Sequence, residues 1–280
     1  MKKFMLFAAS LLLVAATGCK SVPEEQALEE YNARTTETVD QFNQTVSEIQ
    51  ADAALSDEEK EDKIQASYDE TVVKLSDDGL EMLRKYPSGE LAVTVLKNIS
   101  SMLEPAELAE AISLVEGAAA EDEYVKQLVA LSNAKSATAE GKMFTDFTVV
   151  QDESDPEGSK VSLSDYVGKG KYVLVDFWAS WCGPCKQELP NIAAVYNKYK
   201  GDNFDVLSIA VWDDPADTKV AAEEEGITWS QIINAQQVPT DIYGIEGIPH
   251  IILFGPDGTI LKRDLRGDNI EAAVAEALGR

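Results

Sequence analysis

Val173-Leu-Val-Asp-Phe-Trp-Ala-Ser-Trp-Cys-Gly-Pro-Cys-Lys186 is where the apolar, redox and helix-start signals of this chain meet. Val173, Leu174, Val175, Phe177 and Trp178 form a nearly continuous apolar run rich in β-branched and aromatic residues, the pattern of a strand covered on both faces. Gly183 and Pro184 break it, and beyond them Ile192, Val195, Tyr196 and Tyr199 recur at helical spacing, with Pro190 at a kink position. Two thiols therefore sit where a strand becomes a helix. The unpaired N–H groups and dipole of a helix N-terminus stabilise a thiolate, so Cys182 is the expected nucleophile. Two intervening residues bring Cys182 and Cys185 within bridging reach, and the pair can cycle between dithiol and disulfide. Zinc needs about four ligands, and the only other soft candidates are Cys19 and the single histidine, His250, so no metal and no other cofactor is expected.

With 280 residues and 45% hydrophobic composition the chain is long enough for two domains. Its formal charge of −26 argues against nucleic acid, whose phosphates it would repel. The acidity is uneven: residues 20 to 140 carry 10 basic and 27 acidic side chains, and 141 to 280 carry 12 and 23. At the start, Lys2 and Lys3 precede an apolar run, Phe4 to Ala16, that is too short to cross a membrane as a helix and reads as an export signal over residues 1–18.

Apolar or small residues at Leu28, Thr35, Val39, Phe42, Val46, Ile49 and Ala53 predict a long amphipathic helix from Pro23 to about Asp52. Ser56-Asp-Glu-Glu59 is a capping-box pattern and predicts a second helix, with Gly79 as its weak spot and Pro87-Ser-Gly89 as its end. Shorter helices are expected over Leu91 to Ile99, Pro105 to Val115 and Glu121 to Leu131. Residues 19–136 thus read as a small all-helical domain without a catalytic constellation. Ser136-Ala-Thr-Ala-Glu-Gly141 lacks large apolar residues, and residues 137–141 are taken as a linker. In residues 142–280 strands are predicted over Phe144 to Val150, Phe204 to Trp212, Ile251 to Phe254 and Thr259 to Lys262. Helices over Asp217 to Glu225 and Asn269 to Leu278 complete an α/β domain.

Asp176-Phe-Trp-Ala-Ser-Trp-Cys-Gly-Pro-Cys-Lys186 resembles the active-site segment of thioredoxin nearly residue for residue. Tyr243-Gly-Ile-Glu-Gly-Ile-Pro-His-Ile-Ile-Leu-Phe254 is similar to the second thioredoxin signature, in which Pro249 would be cis and face the disulfide. Ser162-Leu-Ser-Asp-Tyr-Val-Gly-Lys169 and the long segment Asp213 to Gln237 resemble the TlpA-like and ResA-like branch of that superfamily. The resemblance implies a thioredoxin fold, a central mixed sheet with helices on both faces, and thiol-disulfide oxidoreductase activity. Asp176, whose carboxyl a buried strand position pushes toward neutrality, would help deprotonate Cys185. Glu188 would either tune the thiols or be an ordinary exposed helix glutamate. Trp181, Gly183, Pro184 and the Ile248 backbone would receive the substrate strand, and His250 stands where thioredoxin has threonine.

Ala16-Thr-Gly-Cys19 resembles a lipobox, with Ala16 where leucine is usual, and implies lipid attachment at Cys19. The partners that follow are disulfide-containing protein substrates, a membrane-bound electron donor and, through the lipid, a membrane, with the protein exported to the periplasmic side. Two rivals stand beside this reading: a peroxiredoxin-like antioxidant enzyme, whose usual Pro-x-x-x-Thr-x-x-Cys would need other residues than Val175 and Ala179, and an adaptor lipoprotein acting through its helical domain.

Overall fold

The structure, a computed structural model, describes residues 22–280. The signal segment and Cys19 lie outside the described residues. The chain divides into two compact units between Asp122 and Glu123.

The first unit is helical: α1 (Glu24–Ala51), α2 (Asp57–Lys85), α3 (Glu90–Ile99), α4 (Pro105–Leu114) and the single turn α5 (Gly117–Ala120). Ser56 and Glu59 form the expected capping box at the start of α2, each side chain bonded to the other's backbone N–H. Leu83, Leu91, Leu96 and Ile99 are fully buried, each stabilising the unit by about 1.5–3 kcal/mol. Gly79 is a point of close approach, not a weak spot. A Cβ there would meet the Ile99 side chain at 2.8 Å, so the missing side chain lets α3 pack against α2.

The second unit opens with α6 (Glu123–Ala137), so the helical domain is shorter than the expected 19–136. A short hairpin follows, β1 (Thr148–Val150) with β2 (Lys160–Ser162), and then β3 (Tyr172–Trp178), α7 (Gly183–Tyr199), β4 (Phe204–Ala210) and α8 (Pro215–Glu224). β5 (Ser230–Ile232), α9 (Val238–Tyr243), β6 (His250–Phe254), β7 (Ile260–Lys262) and α10 (Asp268–Ala277) complete it. The five-stranded sheet has the order β5-β4-β3-β6-β7, with β3 at its centre, parallel to β4 and antiparallel to β6. Alternation along β3 sends Leu174 and Trp178 to a core shared with α7, α8 and α10, and Val173, Val175 and Phe177 to a core shared with Tyr243 and the hairpin. This is the expected mixed sheet with helices on both faces.

Residues 137–141 are not a free linker. Thr138 is wholly buried, its Oγ1 donates to Ala134 O, and Arg263 Nη1 donates to Thr138 O at 2.7 Å and Oγ1 at 2.8 Å. Gly141 N donates to Ile260 O, so the segment is clipped to β7. Gly244, at φ +63°, lets the α9 end approach α6 so closely that a Cβ would lie 3.0 Å from Lys135 N. Composition hid this because the contacts are made by backbone groups and a threonine, not by large apolar side chains. A fragment starting at residue 142 is therefore expected to be less stable than one starting at 123 by about 2–4 kcal/mol, the worth of one or two charge-assisted hydrogen bonds lost at Arg263. Urea unfolding of the two fragments measures the difference, and equal midpoints would restore the boundary at 137–141.

Candidate active site

β3 ends on Trp178, and the chain turns through Ala179, Ser180 and Trp181 to Cys182, the N-cap of α7. Cys185 N donates to Cys182 Sγ at 3.1 Å, so the first sulfur takes one of the otherwise unpaired helix-start N–H groups. Cys182 and Cys185 are joined by a disulfide with their Cα atoms 5.2 Å apart, and are 3% and 1% exposed. The helix runs on through Pro190.

Trp181, by contrast, is 61% exposed, its indole Nε1 donating to Trp212 O at 3.0 Å. Gly183 and Pro184 are exposed and Ile248 is half-buried. A Cβ on Gly183 would meet nothing within 4 Å, leaving open space over the start of α7. The Ile248–Pro249 peptide is cis, and Pro249 O accepts a hydrogen bond from Arg266 Nη2.

Asp176 is 1% exposed. By strand alternation it points, like Leu174 and Trp178, to the face whose core contains both cysteines. Ser208, its register partner on β4, donates to Asp176 Oδ2 at 3.2 Å, and Trp229 Nε1 donates in turn to Ser208 Oγ at 2.9 Å. Asp176 Oδ1 and Trp178 Nε1 are buried without a protein partner. Burial pushes the Asp176 carboxyl up to about 7; the Ser208 hydroxyl and the Arg266 charge pull it down, and Glu188 pushes it up. Ser208 and Trp229 were missed in the sequence: a serine within the apolar run of β4 shows a buried hydroxyl, but not that it pairs with Asp176.

Glu188 is neither bonded to the thiols nor an exposed helix residue. Its half-buried carboxylate accepts from Gly267 N and Asn191 Nδ2, both at 3.0 Å, tying α7 to the residue that precedes α10. His250 is a satisfied histidine: Nε2 faces Arg263 Nη2 at 3.4 Å and Nδ1 faces Asp264 at 3.4 Å. Burial and then Arg263 lower its pKa to about 4, so the ring is neutral near pH 7. Among the described residues no group of three or more His, Cys, Asp or Glu is placed to hold a metal ion.

Residues 141–263 match the AhpC/TSA family. A thiol-disulfide oxidoreductase ResA from Geobacillus thermodenitrificans is 32% identical over 128 residues, covering 46% of this chain and 70% of that protein. The ResA of Bacillus subtilis is 27% identical over 128 residues, covering 46% and 68%. Among solved structures, the thioredoxin domain of a thiol-disulfide oxidoreductase from Bacteroides vulgatus is 35% identical, covering 49% of this chain and 96% of that chain with a TM-score of 0.43.

Proposed function

Since the chain belongs to the AhpC/TSA thioredoxin-fold family as a thiol-disulfide oxidoreductase of the ResA kind, we propose that it reduces disulfides of extracytoplasmic proteins through Cys182 and Cys185. The observation that carries this reading is the bonded pair of sulfurs at the N-cap of α7, beside an exposed Trp181. In the reduced enzyme the Cys182 thiolate attacks one sulfur of the substrate disulfide, forming a mixed disulfide and expelling the other substrate sulfur as a thiolate, which takes up a proton. Asp176 accepts the Cys185 proton, and the Cys185 thiolate attacks Cys182 Sγ. The second substrate sulfur leaves as a thiolate and is protonated in turn. Two electrons pass to the substrate, and the enzyme ends with the Cys182–Cys185 disulfide.

Export rests on the signal-like residues 1–18 and lipid anchoring on Ala16-Thr-Gly-Cys19. An oxidising compartment would leave such an enzyme spent, so a membrane-bound electron donor has to recharge it. Peroxide reduction as the main activity is disfavoured by Val175 and Ala179, which stand where that chemistry uses proline and threonine.

Direction is testable. With Gly183-Pro184 between the cysteines, as in thioredoxin, the potential is expected near thioredoxin's value of about −270 mV, not near the value of about −120 mV of the oxidant DsbA. Equilibration with dithiothreitol or glutathione buffers, read by tryptophan fluorescence, gives the number. A value at the oxidant end would reverse the proposed direction of electron flow.

A further inference from the structure

Near the start of the segment between β4 and α9 stand two residues that the reaction scheme leaves unused. Trp212 has φ 55°, a left-handed backbone that a tryptophan adopts only when its surroundings hold it there. Asp213 follows, 8% exposed. Asp213 Oδ2 accepts from Ser180 N and from Thr218 Oγ1, both at 2.7 Å, and Oδ1 accepts from Ser180 Oγ at 2.8 Å and from Asp214 N at 3.0 Å. Gln236 Nε2 donates to the Asp213 carbonyl at 2.8 Å, so the far end of the same segment closes on it.

The two bonds from Ser180 hold the loop that carries the nucleophile, and those from Thr218, Asp214 and Gln236 fix Asp213 within its own segment. Ser180 lies two residues before Cys182, and Val211 N donates to Trp178 O at 3.0 Å where the loop leaves the strand. Trp181 Nε1 is bonded to Trp212 O. The turn from Trp178 to Cys182 is thus anchored along its length to Val211, Trp212 and Asp213, and only Asp213 supplies a side chain. A buried carboxylate taking four donors is a rigid fixture, since each donor left without it would be an unpaired polar group.

We propose that Asp213 is a positioning residue for the thiol-disulfide exchange: it fixes the Ser180–Trp181 turn so that Cys182 stays at the N-cap of α7 and the Trp181 ring stays presented to the substrate. The inference rests on the proposed role of Cys182. It gives the Asp213 to Gln237 segment a function, that of a brace behind the nucleophile.

The test is Asp213→Asn in the full chain. An asparagine keeps one acceptor oxygen but puts an NH2 group against two donors, so one side of the clamp must open. The rate of alkylation of reduced Cys182 by iodoacetamide is expected to fall about fivefold, the factor that accompanies loss of one cap hydrogen bond. Insulin reduction is expected to fall by a similar factor in kcat/KM. Hydrogen exchange of the Trp181 indole N–H, assigned by its disappearance in Trp181→Phe, is expected to speed up about fivefold by the same reasoning. The alkylation and exchange readouts do not depend on turnover, so they separate failure of this inference from failure of the proposed activity. Unchanged or faster alkylation together with unchanged indole exchange overturns it. If Asp213→Asn does not fold, Ser180→Ala decides: it removes one donor, keeps the backbone bond, and is expected to move both readouts in the same directions by a smaller factor, with no movement overturning the proposal.

Discussion

Asp176→Asn is expected to flatten the dependence of stability on pH, and the stability of the variant relative to the wild type is expected to rise by about 4 kcal/mol between pH 4 and pH 8. In the unfolded chain this carboxyl ionises near 3.8, whereas in the fold burial holds it protonated until about 7. Between those values the unfolded state binds fewer protons than the folded one, so wild-type stability falls as pH rises. The favourable contribution is fully present below the unfolded value and lost through the folded one. About three pH units at 1.36 kcal/mol each set the size. Asparagine has no charge to lose, so its curve lacks this slope, whatever its own hydrogen bonds cost. Urea unfolding at a series of pH values measures it, and parallel curves for the two proteins would show that Asp176 ionises as freely in the fold as outside it.

The energetic disadvantage of that carboxyl has a chemical counterpart. A group with a pKa near 7 can take a proton from a thiol and give it back at the pH where the protein works, which an exposed aspartate cannot do. Oδ2 is committed to Ser208, and Oδ1 has no protein partner. Trp229 fixes the Ser208 hydroxyl from the other side. The sequence places Asp176 within an apolar strand and so reveals its burial. Ser208 and Trp229 reach it from β4 and from the residue before β5, a register that local patterning does not specify.

Elsewhere legibility followed the range of the interaction. The capping box at Ser56, the apolar run of β3 and the CGPC helix start are local signals, and each emerged within a residue or two of its observed place. β5 and α9 were missed because three residues of strand and six of helix carry too little periodicity to stand out. The expected strand over Phe144 to Val150 is short in the fold. Only Thr148–Val150 pairs in β1, while Phe144 bonds through its N–H to Gly258 O and packs over Gly168 and Gly258. The role of α6 in the second unit was illegible for the same reason, since Thr138, Arg263 and Tyr243 are distant in sequence. Glu188 was placed correctly on α7, but its partner Gly267 lies at the start of α10.

The central claim is that Cys182 is the attacking sulfur and Cys185 the resolving one. Cys182 holds the N-cap position, accepts the Cys185 N–H and adjoins the exposed Trp181, whereas Cys185 lies inside the first turn of α7. Removal of either thiol prevents completion of the cycle, but the two losses differ in kind. Without Cys182 no covalent intermediate forms. Without Cys185 the mixed disulfide forms and is not resolved. The direct measurement is dithiothreitol-coupled insulin reduction by the wild type, Cys182→Ser and Cys185→Ser, with each reaction acid-quenched and run on a non-reducing gel. The expected result is background activity without adduct for Cys182→Ser, and an insulin adduct, released by excess dithiothreitol, for Cys185→Ser. Wild-type activity in Cys182→Ser, or an adduct carried by Cys185 in its absence, would contradict the assignment.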